Sequence, residues 1–316
     1  MDGELTQNPR PARIAVVMLA YGAADSVAEL PAYLADILGG RPVPEKLLAD
    51  VAQRYEAIGG RSPLLDITRD QARGLERRLR AGGWPDAEVF AGMRHSAPRI
   101  KDAVDRALGI NPDVLVALPM TPYDSKLSTG AYLQAFDEAL AGRGGVSVVR
   151  VSRWCGEEKL IAAYAEKIKE TRKKFPPAAE PTLLLTAHSL PERIRAEGDP
   201  YPEQLEKTAC AVASAAGFAA WRFAYQSKGG RGGEAWLGPE AGDVLRELAA
   251  SGVKDVLLSP IGFISEHMET LYDDDVLYRA VAAECGLGFE RAPALNASEL
   301  FLEAMESAVC AAVEKA

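Results

Sequence analysis

Three histidines, His95, His188 and His267, are the side chains best suited to acid–base or metal chemistry near neutral pH. Each follows a predicted strand or lies in a predicted loop, which favours a functional role. The alternative for each is a structural imidazole that bonds a backbone carbonyl. His188 ends an apolar run and precedes Ser189, but no G-x-S-x-G motif is present there, and a directly adjacent serine is badly placed as a nucleophile. A serine-hydrolase site is therefore disfavoured.

A helix is predicted after the last apolar strand, beginning near Ser265, which is expected to be its N-cap. In that helix Glu266, Glu269 and Asp273 are three and four residues apart, so their carboxylates form an acidic ridge. The alternative is a solvated face with acids near the helix N-terminus. Imidazole and carboxylate together suit a divalent metal such as Fe(II), and both groups can accept protons in a closed cleft. The combination of His188 with Glu269 predicts a site that holds a metal and removes protons.

Short apolar runs alternate with helical segments along the chain, which is the pattern of an α/β protein with parallel sheets. The predicted strands span residues 13–20, 87–92, 114–119, 146–151, 182–187, 221–226 and 256–260. The predicted helices include residues 96–108, 157–175, 202–216 and 239–251. A proline-rich break at 175–181 separates two similar αβ series, which hints at a remote duplication. Because ligands of open parallel sheets bind beyond the carboxyl ends of strands, Tyr21 and His188 predict a cleft between the two halves.

Composition and motif order exclude several classes of function. The net charge of −9, without clustered basic residues, argues against a nucleic-acid partner. No segment reaches the roughly eighteen apolar residues of a membrane span. The first twelve residues are expected to form a frayed tail and not a secretory signal, because they lack an apolar stretch. The glycine-rich stretches do not match nucleotide-binding motifs. The stretch 226–234 lacks the order of a P-loop and is expected to be a flexible surface loop. No G-x-G-x-x-G motif follows the first strand, which disfavours nicotinamide chemistry.

The cysteines are widely spaced, with no CxxC pair and no histidine at zinc-finger spacing; they are Cys155, Cys210, Cys285 and Cys310. This spacing predicts scattered structural thiols. It also suits the reducing environment of the cytoplasm, where we expect the protein to reside.

Six motifs, in order along the chain, resemble those of the ferrochelatase family. They are MLAYG at 18–22, RYEAIGGRSPL at 54–64, GMRH at 92–95, AHSLP at 187–191, YQS at 225–227 with WLGP at 236–239, and GFISEHMETLYD at 262–273. The resemblance runs from Ile14 to the final helix. It implies a chelatase fold of two Rossmann-like domains, each with a parallel sheet flanked by helices, and a porphyrin in the cleft between them. The first domain is expected over residues 1–150, joined by a C-terminal helix at about 297–316, and the second over 151–296.

The resemblance also implies roles for individual residues. His188 and Glu269 match the catalytic residues that bind iron on one face of the macrocycle. Tyr21 resembles the tyrosine of the coproporphyrin III branch, which ligates the metal from the opposite face, as a phenolate can. The porphyrin and its propionates are expected to contact the cations and hydroxyls of the matching positions, which are Tyr21, Arg54, Tyr55, Ser62 and Tyr132. Accessory roles are expected for His95, Glu266 and Asp273.

This chain departs from the family pattern at Leu38, where that branch commonly has arginine, and at Leu277, where it has an acid. The first change removes a propionate partner, and the second shortens the acidic ridge. Some relatives carry an iron–sulfur cluster, but the cysteines here lack the required grouping, so no cofactor beyond the substrate Fe(II) is expected.

The expected function is insertion of Fe(II) into a porphyrin, with coproporphyrin III as the favoured substrate, in haem biosynthesis. The alternatives are a protoporphyrin IX ferrochelatase, a cobalt or nickel chelatase acting on a reduced tetrapyrrole, and a haem or porphyrin carrier without turnover. The expected partners are the porphyrin and ferrous iron, with transient contacts to other haem-pathway enzymes and none to nucleic acid.

Overall fold

A computed structural model describes residues 13–229 and 233–316. The expectations for the first twelve residues, and for residues 230–232 within the glycine-rich loop, lie outside this part of the chain. Among the described residues, no helix combines the length and apolar character needed to cross a bilayer.

Eight strands form two four-stranded parallel sheets in the described chain. The first sheet has the order β2-β1-β3-β4, and its strands are β1 (Ile14–Ala20), β2 (Glu88–Met93), β3 (Val114–Pro119) and β4 (Ser147–Arg150). The second has the order β6-β5-β7-β8, and its strands are β5 (Thr182–His188), β6 (Trp221–Gln226), β7 (Asp255–Ser259) and β8 (Gly288–Arg291). The two sheets therefore share one strand order.

Helices connect and cover the strands. In the first half they are α1 (Leu30–Ile37), preceded by a 3-10 turn (Val27–Glu29), α2 (Glu45–Ala57), α3 (Leu64–Ala81), α4 (Ile100–Gly109) and α5 (Thr129–Leu140). In the second half they are α6 (Glu158–Arg172), α7 (Arg193–Ala196), α8 (Tyr201–Ala216), α9 (Ala241–Ala250), a π-helix (Thr270–Tyr278), α10 (Arg279–Glu284) and α11 (Glu299–Val313).

The central strands β1 and β5 are apolar along almost their whole length because both of their faces are covered. In β1 every residue is buried, and Val17 lies opposite Phe90 of β2. In β5 Leu185 lies opposite Phe223 of β6. The last helix, α11, packs against α3 and α6, and Arg78 of α3 forms ion pairs with three glutamates of α11. One continuous apolar core therefore includes side chains from both sheets and from α11.

In each sheet, the order in which successive strands are added changes sides at the same place. From β1 it moves outward to β2 and returns to β3 on the other side, so a crevice opens beyond the carboxyl ends of β1 and β3. The equivalent crevice of the second sheet lies beyond β5 and β7. Tyr21 directly follows β1, and His188 is the last residue of β5. The fold therefore places both predicted ligands at such switch points.

The structure departs most from the predicted elements in three places. Strand β8 is absent from the prediction, because it is a four-residue edge strand in which only Phe289 is buried. The helix predicted from residue 96 begins at Ile100, since Ser96 instead accepts the Ala23 N–H through its hydroxyl oxygen at 3.2 Å. The helix predicted from Ser265 begins only at residue 268 and is π-helical over Thr270–Tyr278.

Candidate active site

His188 is fixed at the carboxyl end of β5 by a backbone contact. Its Nδ1 lies against the carbonyl oxygen of Ser189, an acceptor, so Nδ1 carries the proton. In the neutral ring, Nε2 then keeps its lone pair and lies 3.5 Å from Oε1 of Glu269. The two side chains are 30% and 27% exposed, so they remain open to a ligand. A neutral imidazole with a fixed tautomer next to a carboxylate can bind a divalent metal.

His267 contacts the same carboxylate from the other side, a role that the sequence motifs do not assign. Its Nε2 lies 3.3 Å from Oε2 of Glu269, and its Nδ1 donates to the Ser265 carbonyl at 3.0 Å. Both imidazoles therefore direct Nδ1 at a backbone carbonyl and Nε2 at Glu269. The only sequence signal for this role is the spacing of two residues between His267 and Glu269.

The charges in this group are coupled. Partial burial lowers the pKa of His188, but the Glu269 carboxylate more than offsets this, so the pKa lies above its usual value. Burial acts to raise the pKa of Glu269, yet His188 and His267 outweigh it and hold the carboxyl ionised. Glu269 therefore stays ionised, and the raised pKa of His188 favours the protonated ring, which has to lose a proton before Nε2 could bind a metal.

Asp273 lies in the π-helix, four residues after Glu269, and is more deeply buried. Its side chain is 3% exposed, and burial together with the Glu269 charge raises the pKa of its carboxyl to about 6. The Ser227 hydroxyl donates to Asp273 Oδ2 at 2.5 Å. The guanidinium of Arg54 opposes the rise in the pKa of Asp273 and lies 5.4 Å above the ring of Tyr272. Asp273 is thus a buried carboxyl that can accept a proton near neutral pH.

Glu266 does not belong to the predicted acidic ridge. Because the helix begins two residues later, the Glu266 carboxylate lies outside it, where it pairs with Arg291 and accepts the backbone N–H of Ala294 at 2.9 Å. The Thr270 hydroxyl also donates to Glu266 Oε2 at 2.7 Å. Every one of these contacts is made within the protein, so Glu266 stabilises the loop between β7 and the helix. Asp273 alone remains of the two acids predicted beside Glu269.

Tyr21 stands on the opposite half of the molecule and is 40% exposed. Its ring lies 4.7 Å from that of His95, whose Nδ1 contacts Asp36 Oδ2 at 2.7 Å. Arg99 holds the other oxygen of Asp36 at 2.8 Å. Gly22, with a φ of +96°, turns the chain here, and an added Cβ would lie 2.6 Å from the Ser96 hydroxyl oxygen in the loop after β2. His95 therefore supports the ring of Tyr21.

The hydroxyl residues predicted to contact porphyrin lie below the surface of the cleft. Tyr55 is 1% exposed, and its hydroxyl oxygen accepts the Ala24 N–H at 3.2 Å. Ser62 is 2% exposed and lines a cavity of about 700 Å³ behind the loop that follows β1. Tyr132 is 7% exposed, and burial raises its pKa strongly. Their direct contact with porphyrin stays a prediction.

Tyr33 of α1 joins this group although nothing in the sequence distinguishes it. Its hydroxyl donates to the carbonyl of Gly22 at 3.0 Å. Burial raises its pKa, and Tyr21, Tyr55 and Glu269 act in the same direction. Met268, next to Glu269, packs directly against the apolar cluster that contains Tyr55, so the two walls of the cleft lie close together.

A model of the ferrochelatase family matches residues 13–313. The chain belongs to the ferrochelatase family. The ferrochelatase of Deinococcus radiodurans is 37% identical over 307 residues, which is 96% of each chain. The coproporphyrin III ferrochelatase of Listeria innocua is 34% identical over 307 residues, or 96% of this chain and 99% of the relative. The predicted family is confirmed.

The solved sirohydrochlorin chelatase SirB from Bacillus subtilis subspecies spizizenii, in complex with cobalt, aligns over 96% of each chain with a TM-score of 0.59 at 11% identity. SirB from Bacillus subtilis with Fe3+ gives a TM-score of 0.60 at 9% identity. These likenesses concern the fold, and they confirm the predicted chelatase architecture of two parallel sheets. As a ferrochelatase-family enzyme, the protein is a lyase of haem biosynthesis that inserts a metal into a porphyrin.

The geometry suits a ferrochelatase because one wall of the cleft brings together side chains that could bind a metal and side chains that could accept protons. Within residues 13–229 and 233–316, no group of three or more His, Cys, Asp or Glu side chains forms a ready metal cage. His188 and Glu269 provide one imidazole nitrogen and carboxylate oxygens, both partly exposed. Such an open pair can accept a metal and release it to a stronger ligand, such as the four nitrogens of a porphyrin.

Proposed function

We propose that this enzyme inserts Fe(II) into coproporphyrin III, with His188 and Glu269 on one side of the ring and Tyr21 on the other. The observation that carries the proposal is the convergence of His188 and His267 on the Glu269 carboxylate. Tyr21, exposed at the equivalent switch point of the other sheet, supports a ligand on the opposite face. Relatives named coproporphyrin III ferrochelatase, from Listeria and Anoxybacillus, support this substrate.

The reaction exchanges one Fe(II) ion for two pyrrole protons, so the site must bind a dication and accept two protons. Fe(II) binds when His188 is neutral, with Glu269 supplying the negative charge. As iron moves to the pyrrole nitrogens, the freed Nε2 of His188 accepts one proton, and Asp273, with a carboxyl pKa raised to about 6, is placed to pass on the other. Bending of the macrocycle in the cleft directs its nitrogen lone pairs towards the iron.

The charged propionates of the substrate need cations at the rim of the cleft. Arg54, a residue of α2, places its guanidinium over the ring of Tyr272 in the π-helix. Three further cations are exposed and are the candidates for the two propionates that distinguish coproporphyrin from protoporphyrin; they are Arg41, Lys126 and Lys228. Leu38 is half-buried and stands where the branch commonly has arginine. These cations would therefore have to supply the contact to a propionate that the arginine makes in that branch.

Anaerobic absorbance assays with coproporphyrin III and with protoporphyrin IX, each with Fe(II), test this function. We expect faster insertion into coproporphyrin III, and loss of insertion in His188→Ala with porphyrin binding retained. Preference for protoporphyrin IX would overturn the substrate assignment. Wild-type insertion rates in His188→Ala would overturn the assigned role of His188.

The same assay separates the rival functions. A cobalt or nickel chelatase would turn over faster with those metals and a reduced tetrapyrrole, because the ligand type hardly distinguishes these ions. A carrier would bind porphyrin tightly and insert neither zinc nor iron. Either result would replace the proposed function.

A cytoplasmic location, the absence of a resident cofactor and transient contacts with other enzymes of the haem pathway complete the proposal. The scattered cysteines support the first two, because they offer no grouping for an iron–sulfur cluster. Metal analysis of the purified enzyme before iron is added would detect a resident cluster and so contradict this part.

A further inference from the structure

Asp274 is a buried acid without a recognised role. Its side chain has no exposed surface, and neither carboxyl oxygen has a hydrogen-bond partner among the described residues. The side-chain amide of Gln226, at the end of β6, lies next to it, and the Oε1 atom of Gln226 also lacks a partner. Three buried polar atoms are thus unsatisfied in one place, which requires an explanation because a buried polar atom without a partner destabilises the fold.

The surrounding charges do not support an ionised Asp274. The charged groups around it are Asp273, Asp275 and Arg291. Arg291 already pairs with two carboxylates, Asp275 and Glu266, so this part of the protein has more negative than positive charge. A further buried carboxylate would have no cation of its own, and such an unpaired charge is strongly unfavourable. Burial accordingly raises the pKa of Asp274 well above its usual value, although Arg291 and the side-chain amide of Gln226 act to lower it.

A proton on Asp274 satisfies all three unsatisfied atoms together. A neutral carboxyl can donate its O–H to Oε1 of Gln226 and accept a hydrogen from Nε2 with its other oxygen. An ionised carboxylate can only accept hydrogen bonds, so it has no proton to donate to Oε1 of Gln226. That oxygen would then lie next to a negative charge without a donor. The reciprocal acid–amide pair therefore needs the neutral acid.

The amide of Gln226 continues this contact towards the active site. Its Nε2 donates to the hydroxyl oxygen of Ser227 at 3.5 Å, and that hydroxyl donates to Oδ2 of Asp273 at 2.5 Å. Ser227 has a φ of 57°, a left-handed conformation that is unfavourable for a residue with a Cβ. Such strain persists where surrounding contacts hold the backbone in place. Here the conformation aims the Ser227 hydroxyl at Asp273.

We propose that Asp274 is a neutral carboxylic acid whose pairing with Gln226 orients Ser227 and thereby positions Asp273 for the reaction at His188 and Glu269. Asp274 is a positioning residue, since it touches neither substrate nor metal. The part that concerns iron insertion rests on the proposed function. The pairing itself does not.

The test compares Asp274→Asn with Asp274→Leu. Asparagine can form the same reciprocal pair with Gln226, whereas leucine cannot. We expect Asp274→Asn to keep the wild-type rate of iron insertion and its pH profile. Asp274→Leu should lower the rate about tenfold to a hundredfold, the scale expected when a reacting group is slightly misplaced. It should also shift the acidic limb of the pH–rate profile to higher pH by about one unit, because Asp273 loses the hydrogen bond from Ser227 that lowers its pKa.

A spectroscopic measurement keeps the pairing testable if Asp274→Leu does not fold or if the proposed function is wrong. The infrared difference spectrum at neutral pH between wild type and Asp274→Asn should contain the carbonyl band of a protonated carboxylic acid. The exposed Asp86, changed to Asn, is the matched control and should give no such band. This measurement requires neither iron nor porphyrin.

The opposite results would overturn the proposal. If Asp274 is ionised, Asp274→Asn removes a negative charge next to Asp273, so the acidic limb moves to lower pH and the infrared band is absent. Ser227→Gly tests the last contact separately, because glycine accepts the left-handed backbone and removes only the hydroxyl. It should reproduce the upward shift of the acidic limb, and an unchanged profile would show that Ser227 does not connect Gln226 to Asp273.

Discussion

Asp273→Asn should stabilise the protein at alkaline pH although Asp273 belongs to the proposed active site. The side chain is 3% exposed, and burial with the charge of Glu269 raises the pKa of its carboxyl from 3.8 to about 6. At 1.36 kcal/mol per pKa unit, keeping Asp273 ionised in the folded protein therefore costs about 3 kcal/mol. Asparagine avoids this cost and can still accept the hydrogen bond of Ser227.

The sign of the pH dependence follows from the raised pKa. The protonated carboxyl stabilises the fold fully below about pH 4, and this contribution disappears as the pH rises through about 6. Asp273→Asn does not titrate. The difference in unfolding free energy between variant and wild type should thus grow by about 3 kcal/mol between about pH 4 and pH 8.

Urea denaturation at both pH values measures this difference, provided that the m-value stays constant. The exposed Asp86→Asn is the control and should change the unfolding free energy equally at both pH values. An Asp273→Asn difference that is independent of pH, or that falls at high pH, would refute the buried-carboxyl argument. Iron insertion should fall in the same variant, as expected where a destabilising group is kept for function.

Three further substitutions test contacts that hold the site. Gly22→Ala should lower the unfolding free energy by about 1–3 kcal/mol, because φ is +96° and the new Cβ would lie 2.6 Å from the Ser96 hydroxyl oxygen. Tyr55→Phe should cost about 1–3 kcal/mol, because it leaves the buried N–H of Ala24 without its acceptor. Arg291→Met should cost about 3–5 kcal/mol, because two carboxylates lose their shared cation. Chemical denaturation measures all three, and a change below about 0.5 kcal/mol would contradict the contact concerned.

Much of the fold is predictable from local patterns. Strands β3 and β6 have the predicted bounds, 114–119 and 221–226, since short apolar runs end at clear breaks. Strand β8 is not predictable in this way, because an edge strand of four residues carries little apolar pattern. The start of α4 also depends on tertiary contacts, since the Ser96 hydroxyl bonds the loop after β1.

The site is less predictable because its geometry depends on backbone register. The sequence motifs identify His188 and Glu269, and the structure brings them together at 3.5 Å. The role of His267 follows only from the late start of the helix, which leaves its imidazole free to turn towards Glu269. Asp274 lies in a run of three acids that local reasoning assigns to solvent, yet it has no exposed surface.

The Glu266–Arg291 ion pair explains why the helix after β7 adopts the π form. Thr270 donates to Glu266, and Asp275, five residues later, binds Arg291. In an α-helix, positions five apart differ by about 140° around the axis, so these two side chains could not reach one ion pair. The i→i+5 pattern of a π-helix brings them onto one side. Contacts on one side of the helix thus fit its π register, while Asp273 in the same helix contacts Ser227.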